Sequence, residues 1–146
     1  MIRIYIVKNL IVGNLLTKFN KIVIIYYNLQ GNNMYGEKMK IIKSKQYIKD
    51  YNKKLYKLHK TDEIIRVKRI EDLIIDSTNL KSLILNPLSK VYHIEQKKGN
   101  LREIYTARIN GKMRIFMKPL GEYPYDLMEI MGVEFLKIDN NHYNDG

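Results

Sequence analysis

The chain has 146 residues, enough for one compact domain, and 45% of them are hydrophobic, which is ordinary for a globular core. It contains no cysteine, so disulfides, thiolate catalysis and cysteine-based zinc sites are excluded. The 26 Lys and Arg against 15 Asp and Glu give a formal charge of +11, which favours an anionic partner, with nucleic acid ahead of an anionic membrane or an acidic protein.

The histidines give no sign of a metal site. They stand at positions 59, 93 and 142, and no two are separated by the four residues that a helical metal site requires. We therefore expect no metal and no cofactor, and we interpret His59 and His93 as structural or exposed. The lack of cysteine fits a reducing cytoplasm.

The first 38 residues differ in composition from the rest. Two apolar runs, residues 4–7 and 22–27, are interrupted by lysines and fall short of the roughly 18 to 20 apolar residues of a membrane span. A polar, turn-rich segment follows at residues 30–33. We predict that residues 1–38 are an extension, either a mis-set start or a loosely packed pair of strands, and that residues 39–146 form the domain. The alternative, that the first 38 residues belong to the core, stays open.

A strand and two helices are expected next. Residues 39–42 open the domain as a strand, and apolar residues at helical spacing from Tyr47 to Leu58 predict an amphipathic helix. A second helix is predicted from Thr61 or Asp62, either of which can cap it. Residues 77–79 are a possible interruption, and Asn86-Pro87 ends the helical pattern.

The remainder is typical of strands. Residues 88–95, 102–109, 112–118 and 127–138 are predicted strands, and residues 119–126 form a loop. Asn110-Gly111 predicts a tight hairpin, because a type I′ turn needs positive φ at both central residues. The order β-α-α-β-β-β indicates an α+β fold, with two helices on one face of a small, mainly antiparallel sheet.

A turn made of Asn110 and Gly111 alone would set the register of this hairpin. Ala107 would then lie opposite Arg114, on a face that carries Tyr105, Ala107, Lys112, Arg114 and Phe116. The other face would pack against the helices with Ile104, Thr106, Met113, Ile115 and Met117. Arg108 would then face the helices, whereas a three-residue loop would reverse its assignment. Arg114 is also open to a simpler interpretation, as an exposed residue of a solvated sheet.

Several of these residues resemble one family. Their order is Glu95, Lys98, Asn100-Leu101, Tyr105-Thr106, Arg108-Ile109, Arg114-Ile115 and, near the end, His142-Tyr143. This pattern is similar to the RelE/YoeB-type toxins of the RelE/ParE superfamily, and it implies the RelE-like microbial RNase fold. The chain departs from the pattern in three ways: Ala107 replaces the first of two paired arginines, residues 119–126 make a longer connection, and residues 144–146 follow His-Tyr.

The resemblance implies a type II toxin that acts as a metal-independent endoribonuclease on mRNA, on the ribosome. Such cleavage needs a base for the 2′-OH, a cation for the phosphate and an acid for the leaving oxygen. By resemblance these are Glu95, Arg114 and His142, with Tyr143 stacking on or orienting the nucleotide. The residues expected to hold the RNA backbone are Lys97, Lys98, Arg102, Arg108 and Lys112.

The resemblance also implies partners and alternatives. A cognate antitoxin would cover the basic face in a hetero-oligomer in the cytoplasm. HigB-like relatives have the same fold with another catalytic set, and ParE-like relatives act on DNA gyrase by protein binding. A basic nucleic-acid-binding module without activity is a further alternative. At the level of residues, Glu95 and Arg114 can also be read as a surface salt bridge, and His142 as part of a disordered tail.

Overall fold

The computed structural model describes residues 38–140. Its elements, in chain order, are β1 (Lys40–Lys43), α1 (Lys45–Tyr51), a π-helical turn (Asn52–Tyr56), α2 (Thr61–Asp76), α3 (Leu80–Leu85), α4 (Pro87–Val91), β2 (Glu95–Gln96), a 3-10 turn (Gly99–Leu101), β3 (Tyr105–Arg108), β4 (Met113–Pro119) and β5 (Gly132–Asn140). The predictions for residues 1–37, and for His142 and Tyr143, lie outside the described residues.

The five strands form one sheet in the order β1-β5-β4-β3-β2. β1 pairs with β5 in parallel, and the other neighbours are antiparallel. The helices lie between β1 and β2 in sequence, and helical and strand side chains share one core. The expected α+β architecture with a mainly antiparallel sheet is confirmed. Within residues 38–140 no helix is long and apolar enough to cross a membrane.

Local hydrogen bonds explain where the first two helices begin. Ser44 caps α1, since its Oγ accepts from the backbone N–H of Tyr47 at 3.0 Å and donates to the carbonyl of Leu136 at 2.7 Å. One side chain thus starts the helix and ties it to β5. Asp62 and Glu63 lie in the first turn of α2, where carboxylates favour the positive end of the helix dipole.

The second predicted helix is divided in two. It ends at Asp76, and α3 starts after a capping box in which Asn79 accepts from the N–H of Ser82 at 2.9 Å while Ser82 Oγ accepts from the N–H of Asn79 at 3.1 Å. Ser77 Oγ also donates to the carbonyl of Leu73 at 2.8 Å and satisfies one of the last acceptors of α2. The possible interruption at residues 77–79 is therefore a helix boundary.

The strand predicted at residues 88–95 was wrong over most of its length. Residues Pro87–Val91 form α4, and the strand is reduced to Glu95–Gln96. The reason lies at Asn86, whose Oδ1 accepts from the N–H of Leu88 at 2.9 Å, and at Pro87, which occupies the first turn without a missing hydrogen bond. Asn86-Pro87 thus ends one helix and begins the next.

Two other strands are displaced from their predicted bounds. β3 begins at Tyr105, because residues 99–104 form turns in which Ile104 donates its backbone N–H to the carbonyl of Leu101 at 2.8 Å. β5 begins only at Gly132 and extends to Asn140. The chain before it turns at Asp126, whose carbonyl accepts from the backbone N–H of Glu129 at 3.0 Å. Turn bonding in both places removes the backbone groups that a longer strand would need.

The core lies between the described helices and one face of the sheet. Helix residues such as Tyr47, Leu55 and Ile70 are at most 2% exposed and share a cluster with strand residues on the facing side, which are Tyr105, Ala107, Met113, Ile115, Met117, Val133, Phe135 and Ile138. Tyr47 and Phe135 meet edge to face with their ring centroids 5.1 Å apart. This packing fixes which face of the sheet points away from the described helices.

The hairpin between β3 and β4 differs from the predicted one by a single residue. Arg108 lies opposite Arg114, and Ala107 lies opposite Ile115. The loop therefore has three residues, 110–112, and neither Asn110 nor Gly111 has a positive φ. The Asn110 side chain makes this loop, because its Oδ1 accepts from the backbone N–H groups of residues 112 and 113 at 2.9 and 2.8 Å.

This register reverses the predicted faces of β3. Tyr105 and Ala107 are buried with Ile115 and Met117 in the core, whereas Thr106 and Arg108 share the opposite face with Arg114 and Phe116. A one-residue change of register exchanges the faces of a whole strand, because side chains alternate along it. The prediction that Arg108 faces the helices was wrong for that reason.

Candidate functional site

The sheet face away from the described helices, called the polar face here, carries Glu95, Thr106, Arg108, Arg114, Phe116, Lys137 and Asp139. Pairing arranges these residues in two rows across the sheet. In the first row Thr106 lies opposite Glu95 on one side and Phe116 on the other, and Phe116 lies opposite Lys137. The second row is Arg108, Arg114 and Asp139.

A β-bulge brings the last strand into this arrangement. Phe116 pairs with Lys137 and Met117 pairs with Phe135, so Leu136 is the extra residue on β5. The carbonyl of Leu136 accepts from Ser44 Oγ, which provides a partner for the bulged backbone. Without the bulge, the residues of β5 beyond it would change faces, so this irregularity places Lys137 and Asp139 on the polar face.

Lys137 connects the two rows. Its ammonium lies 5.0 Å from the centroid of the Phe116 ring and 2.9 Å from Asp139 Oδ2. The hydrogen bond from Lys137 lowers the pKa of the Asp139 carboxyl, burial opposes this effect, and the backbone N–H of Asn140 adds to it. The Phe116 ring is therefore flanked by cations, as a stacking platform for a nucleotide requires.

Arg108 is held by contacts from several parts of the chain. Its backbone N–H donates to the carbonyl of Tyr92 at 2.7 Å, and its own carbonyl accepts from Arg66 Nε at 2.9 Å. Arg108 Nη1 lies 3.1 Å from His93 Nε2, and since a guanidinium only donates, this contact requires Nε2 to be an acceptor. Within residues 38–140, Arg108 Nε has no hydrogen-bond partner. The guanidinium is thus positioned with a donor to spare.

Thr106 has a similar unused polar group. Its side chain is fully buried, and in the described part of the chain its Oγ1 has no hydrogen-bond partner. Phe116 is only 3% exposed yet does not belong to the core cluster, and Arg114 is 8% exposed. Buried polar atoms that lack partners are uncommon and are often found where a ligand binds.

Glu95 stands at the edge of this face. It is exposed on the two-residue strand β2, at the outer side of the sheet. Two strand spacings and two residues separate its Cα from that of Arg114, which corresponds to about 12 Å. A group bound between them, over Thr106 and Phe116, is within reach of both side chains. The register therefore brings the predicted carboxylate and the predicted cation to the same face.

The remaining predicted RNA-binding residues are not all together. Lys97, Lys98 and Arg102 lie in the β2–β3 connection next to Glu95, and Arg102 stacks over the ring of Tyr123 at 5.1 Å. Lys112 lies in the hairpin loop at the other end of β3. His142 and Tyr143 are outside the described residues, so their predicted positions stay predictions.

Sequence reasoning missed Lys137, Asp139 and His93. Alternation along β5 carried the signal for the first two, but the bulge at Leu136 interrupts it and cannot be read from the sequence. His93 adopts a φ of 47° after α4, and that helix was itself predicted as a strand. Among the described residues no three His, Cys, Asp or Glu side chains come together as a metal site would require.

Comparison with solved structures gives matches to bacterial toxins. YafQ from E. coli strain BL21(DE3) is 20% identical, with a TM-score of 0.50, over 70% of this chain and 93% of that one. The E. coli DinJ-YafQ toxin-antitoxin complex contains a chain that is 21% identical, with a TM-score of 0.50, over 75% of this chain and 99% of that one. The protein has the RelE-like toxin fold.

That likeness is visible in the fold and not in the overall sequence. No model of a known family and no curated protein sequence matches the chain. At about one residue in five identical, the matches show the RelE-like arrangement of sheet and helices but do not transfer an activity. Function therefore has to be argued from the polar face of this chain.

Proposed function

We propose that the protein is the toxin of a type II toxin-antitoxin system and cleaves mRNA on the ribosome as an endoribonuclease, without a metal. Two findings support this proposal. The fold is shared with YafQ, a component of the DinJ-YafQ toxin-antitoxin complex. The formal charge of +11 also favours a polyanionic substrate.

The observation that carries the proposal is the pairing of Arg108 with Arg114 one row away from Glu95 and Phe116. Two guanidiniums can bind phosphate oxygens through paired N–H groups, an aromatic ring can stack on a base, and a carboxylate can accept a proton. A general RNA-binding surface needs cations and aromatics, but it does not need the carboxylate. The combination supports cleavage over binding alone.

The proposed reaction is an internal transfer of the phosphoryl group. Glu95 takes the proton of a ribose 2′-OH, the 2′-oxygen bonds to the adjacent phosphorus, and the bond from phosphorus to the 5′-oxygen breaks. Arg114 stabilises the charge that develops on the phosphate, and Arg108 contributes a second guanidinium. The products are a 2′,3′-cyclic phosphate and a 5′-hydroxyl end, so no water and no metal are consumed in this step.

The leaving 5′-oxygen needs a proton. We assign this role to His142 and assign Tyr143 to stacking on or orienting the nucleotide, both on the resemblance to YoeB-like toxins. His142 follows β5 by two residues, and Asp139 on that strand lies opposite Arg114. A short continuation of the chain is therefore enough to bring an imidazole to the polar face.

The lysines and arginines around the face serve the RNA backbone in this proposal. Lys97, Lys98 and Arg102 extend the positive charge beyond Glu95, and Lys112 extends it beyond Arg108. The partners are then mRNA, the ribosome and a cognate antitoxin that covers the basic face in a hetero-oligomer. This activity belongs in the cytoplasm, where mRNA is translated.

The test uses purified protein and ribosomes carrying a defined mRNA. Arg114→Ala and His142→Ala are each expected to slow cleavage by about 100-fold or more, since the loss of a charge-stabilising donor or a general acid has effects of that size. Arg69→Ala is the matched control, because Arg69 is an exposed arginine of α2 and lies outside the polar face.

If both Arg114→Ala and His142→Ala cleave as fast as the parent, the assignment of the site is wrong. Growth arrest in cells with intact mRNA would instead favour a ParE-like toxin that acts by protein binding. Salt-sensitive RNA binding without any cleavage on ribosomes would favour the nucleic-acid-binding module.

A further inference from the structure

A pocket of about 350 Å³ lies at the hairpin end of the sheet, outside the polar face. The described residues that line it are Lys53, Lys54, Leu58, Lys60, Asn110, Lys112, Met113 and Asn140. They come from the π-helical turn and the connection after it, from the β3–β4 loop, and from the end of β5. We call it the lysine pocket. Its volume lies within the range of small-ligand sites.

The charge of this pocket is strongly positive. Four of the described lining residues are lysines and none is acidic. Lys54 is engaged, because its Nζ donates to the carbonyl of Ile138 and lies 4.0 Å from Asp139 Oδ1. In the part of the chain that the structure describes, no ion pair neutralises Lys53, Lys60 or Lys112. Glu63 lies close by but is bonded to Asn110 Nδ2 at 3.1 Å.

The wall between these lysines is apolar. Leu58 is 60% exposed, which is unusual for a leucine beside three lysines, and Met113 contributes an adaptable thioether side chain. Between Leu58 and Lys60, His59 has a φ of 49°, in the left-handed region that few side chains adopt. The backbone there is held in an uncommon conformation, which orients two lining residues towards the pocket.

The lysine pocket adjoins the polar face. Met113 immediately precedes Arg114 and pairs with Asn140, which immediately follows Asp139. About 10 Å of strand separates Met113 from Phe116. A single RNA strand that passes over Phe116 and Arg114 can therefore continue past the end of β4 into the pocket. A protein helix or a flat lipid surface fits this narrow, one-ended path less well.

We propose that the lysine pocket binds a nucleotide of the RNA substrate outside the pair that is cleaved, with its phosphate on Lys53 and Lys60 and its base against Leu58 and Met113. The inference rests on the proposed function and adds a second anchoring subsite to it. It also assigns a role to the π-helical turn, since such turns recur at functional sites.

The test measures binding of a short, single-stranded, fully 2′-O-methylated RNA, which cannot be cleaved, by fluorescence anisotropy at several salt concentrations. The double variant Lys53→Gln, Lys60→Gln should make the slope of log affinity against log salt shallower by about 1.4, because each lost contact to a single strand accounts for about 0.7. The control Lys81→Gln, Lys90→Gln removes the same charge from α3 and α4 and should leave the slope unchanged. Photo-crosslinking with 4-thiouridine in the RNA should label Leu58.

Equal slopes for the two double variants would overturn the inference, as would a parent protein that does not bind the RNA. Labelling confined to the polar face would overturn the assignment of the base. These outcomes are independent of the proposed activity: a lysine-pocket effect on binding together with intact mRNA on ribosomes would leave the subsite standing and contradict the endoribonuclease.

Discussion

Phe116 is buried on the side of the sheet that its core neighbours do not share. Since it lies between Thr106 and Lys137 on the polar face, we interpret the ring as the platform on which a base stacks. Phe116→Leu keeps an apolar side chain at this position but removes the aromatic face. It should lower RNA affinity roughly ten-fold, within the range of one lost stacking contact, and change the melting temperature little. Anisotropy and thermal unfolding check the two expectations, and an unchanged affinity would exclude stacking.

The pair Lys137 and Asp139 makes a prediction about pH. The hydrogen bond from Lys137 lowers the pKa of Asp139 below its ordinary value of 3.8, so the ionised carboxylate stabilises the fold. That contribution is fully present above pH 3.8 and is lost as the pH falls through the lower folded-state pKa. Lys137→Met should therefore raise the pKa of Asp139, as followed by NMR titration of its carboxyl carbon. An unchanged or lower value would contradict the assignment.

Asp50 shows how one buried carboxylate holds a helix to the sheet. Its Oδ2 accepts from the backbone N–H of Ile138 at 3.0 Å and its Oδ1 accepts from Gln46 Nε2 at 2.8 Å. Asp50→Ala leaves the N–H of Ile138 buried without a partner, and we expect it to reduce the free energy of unfolding by about 1–3 kcal/mol. Urea denaturation measures this. Asp72→Ala is the control, since Asp72 forms an exposed ion pair with Lys68, and equal losses in the two variants would contradict the role of Asp50.

At the scale of elements, the three-residue loop of the β3–β4 hairpin determines the site. Asn110 organises this loop by accepting two backbone N–H groups and by donating to Glu63. Asn110→Ala should destabilise the protein by about 1–2 kcal/mol, as the loss of a capping side chain does, and should slow cleavage because Arg108 loses its fixed position opposite Arg114. Urea denaturation and the ribosome assay measure the two effects. Gly111→Ala, which meets no atom within 4 Å, is the control.

The same hairpin shows what the sequence could and could not predict. Alternation identified β3 and β4, and the Asn-Gly pair located the turn, because both signals are local. The register depends on whether Lys112 belongs to the loop, and that is decided by the hydrogen bonds of the Asn110 side chain and by burial of Ala107 in the core. A two-residue turn and a three-residue loop have the same sequence signature, so the face of Arg108 could not be read from the sequence.

Helical boundaries show a similar limit. The caps at Ser44 and Thr61 follow from side-chain chemistry, and both helices were predicted near these positions. Asn86-Pro87 was interpreted only as a stop, although the same two residues also begin α4. Five-residue helices carry too little periodicity to be distinguished from strands, so the pattern after Pro87 was assigned to the wrong class.

For the whole molecule, the positive charge and the sheet face have different roles. The charge attracts any polyanion and weakens in salt, whereas the arrangement of Glu95, Arg108 and Arg114 on one face favours a reaction. Residues 39–146 remain the proposed domain, and residues 1–38 the proposed extension. An antitoxin that binds the polar face would neutralise both the charge and the site.

The most direct test of this account is the chemistry of the RNA ends that the protein produces on translating ribosomes. The parent should give fragments with a 2′,3′-cyclic phosphate and a 5′-hydroxyl, and Glu95→Gln should reduce their formation by about 100-fold or more, because it removes the general base. Arg69→Ala should cleave like the parent. Fragments with other ends, or a Glu95→Gln variant as active as Arg69→Ala, would contradict cleavage by the polar face.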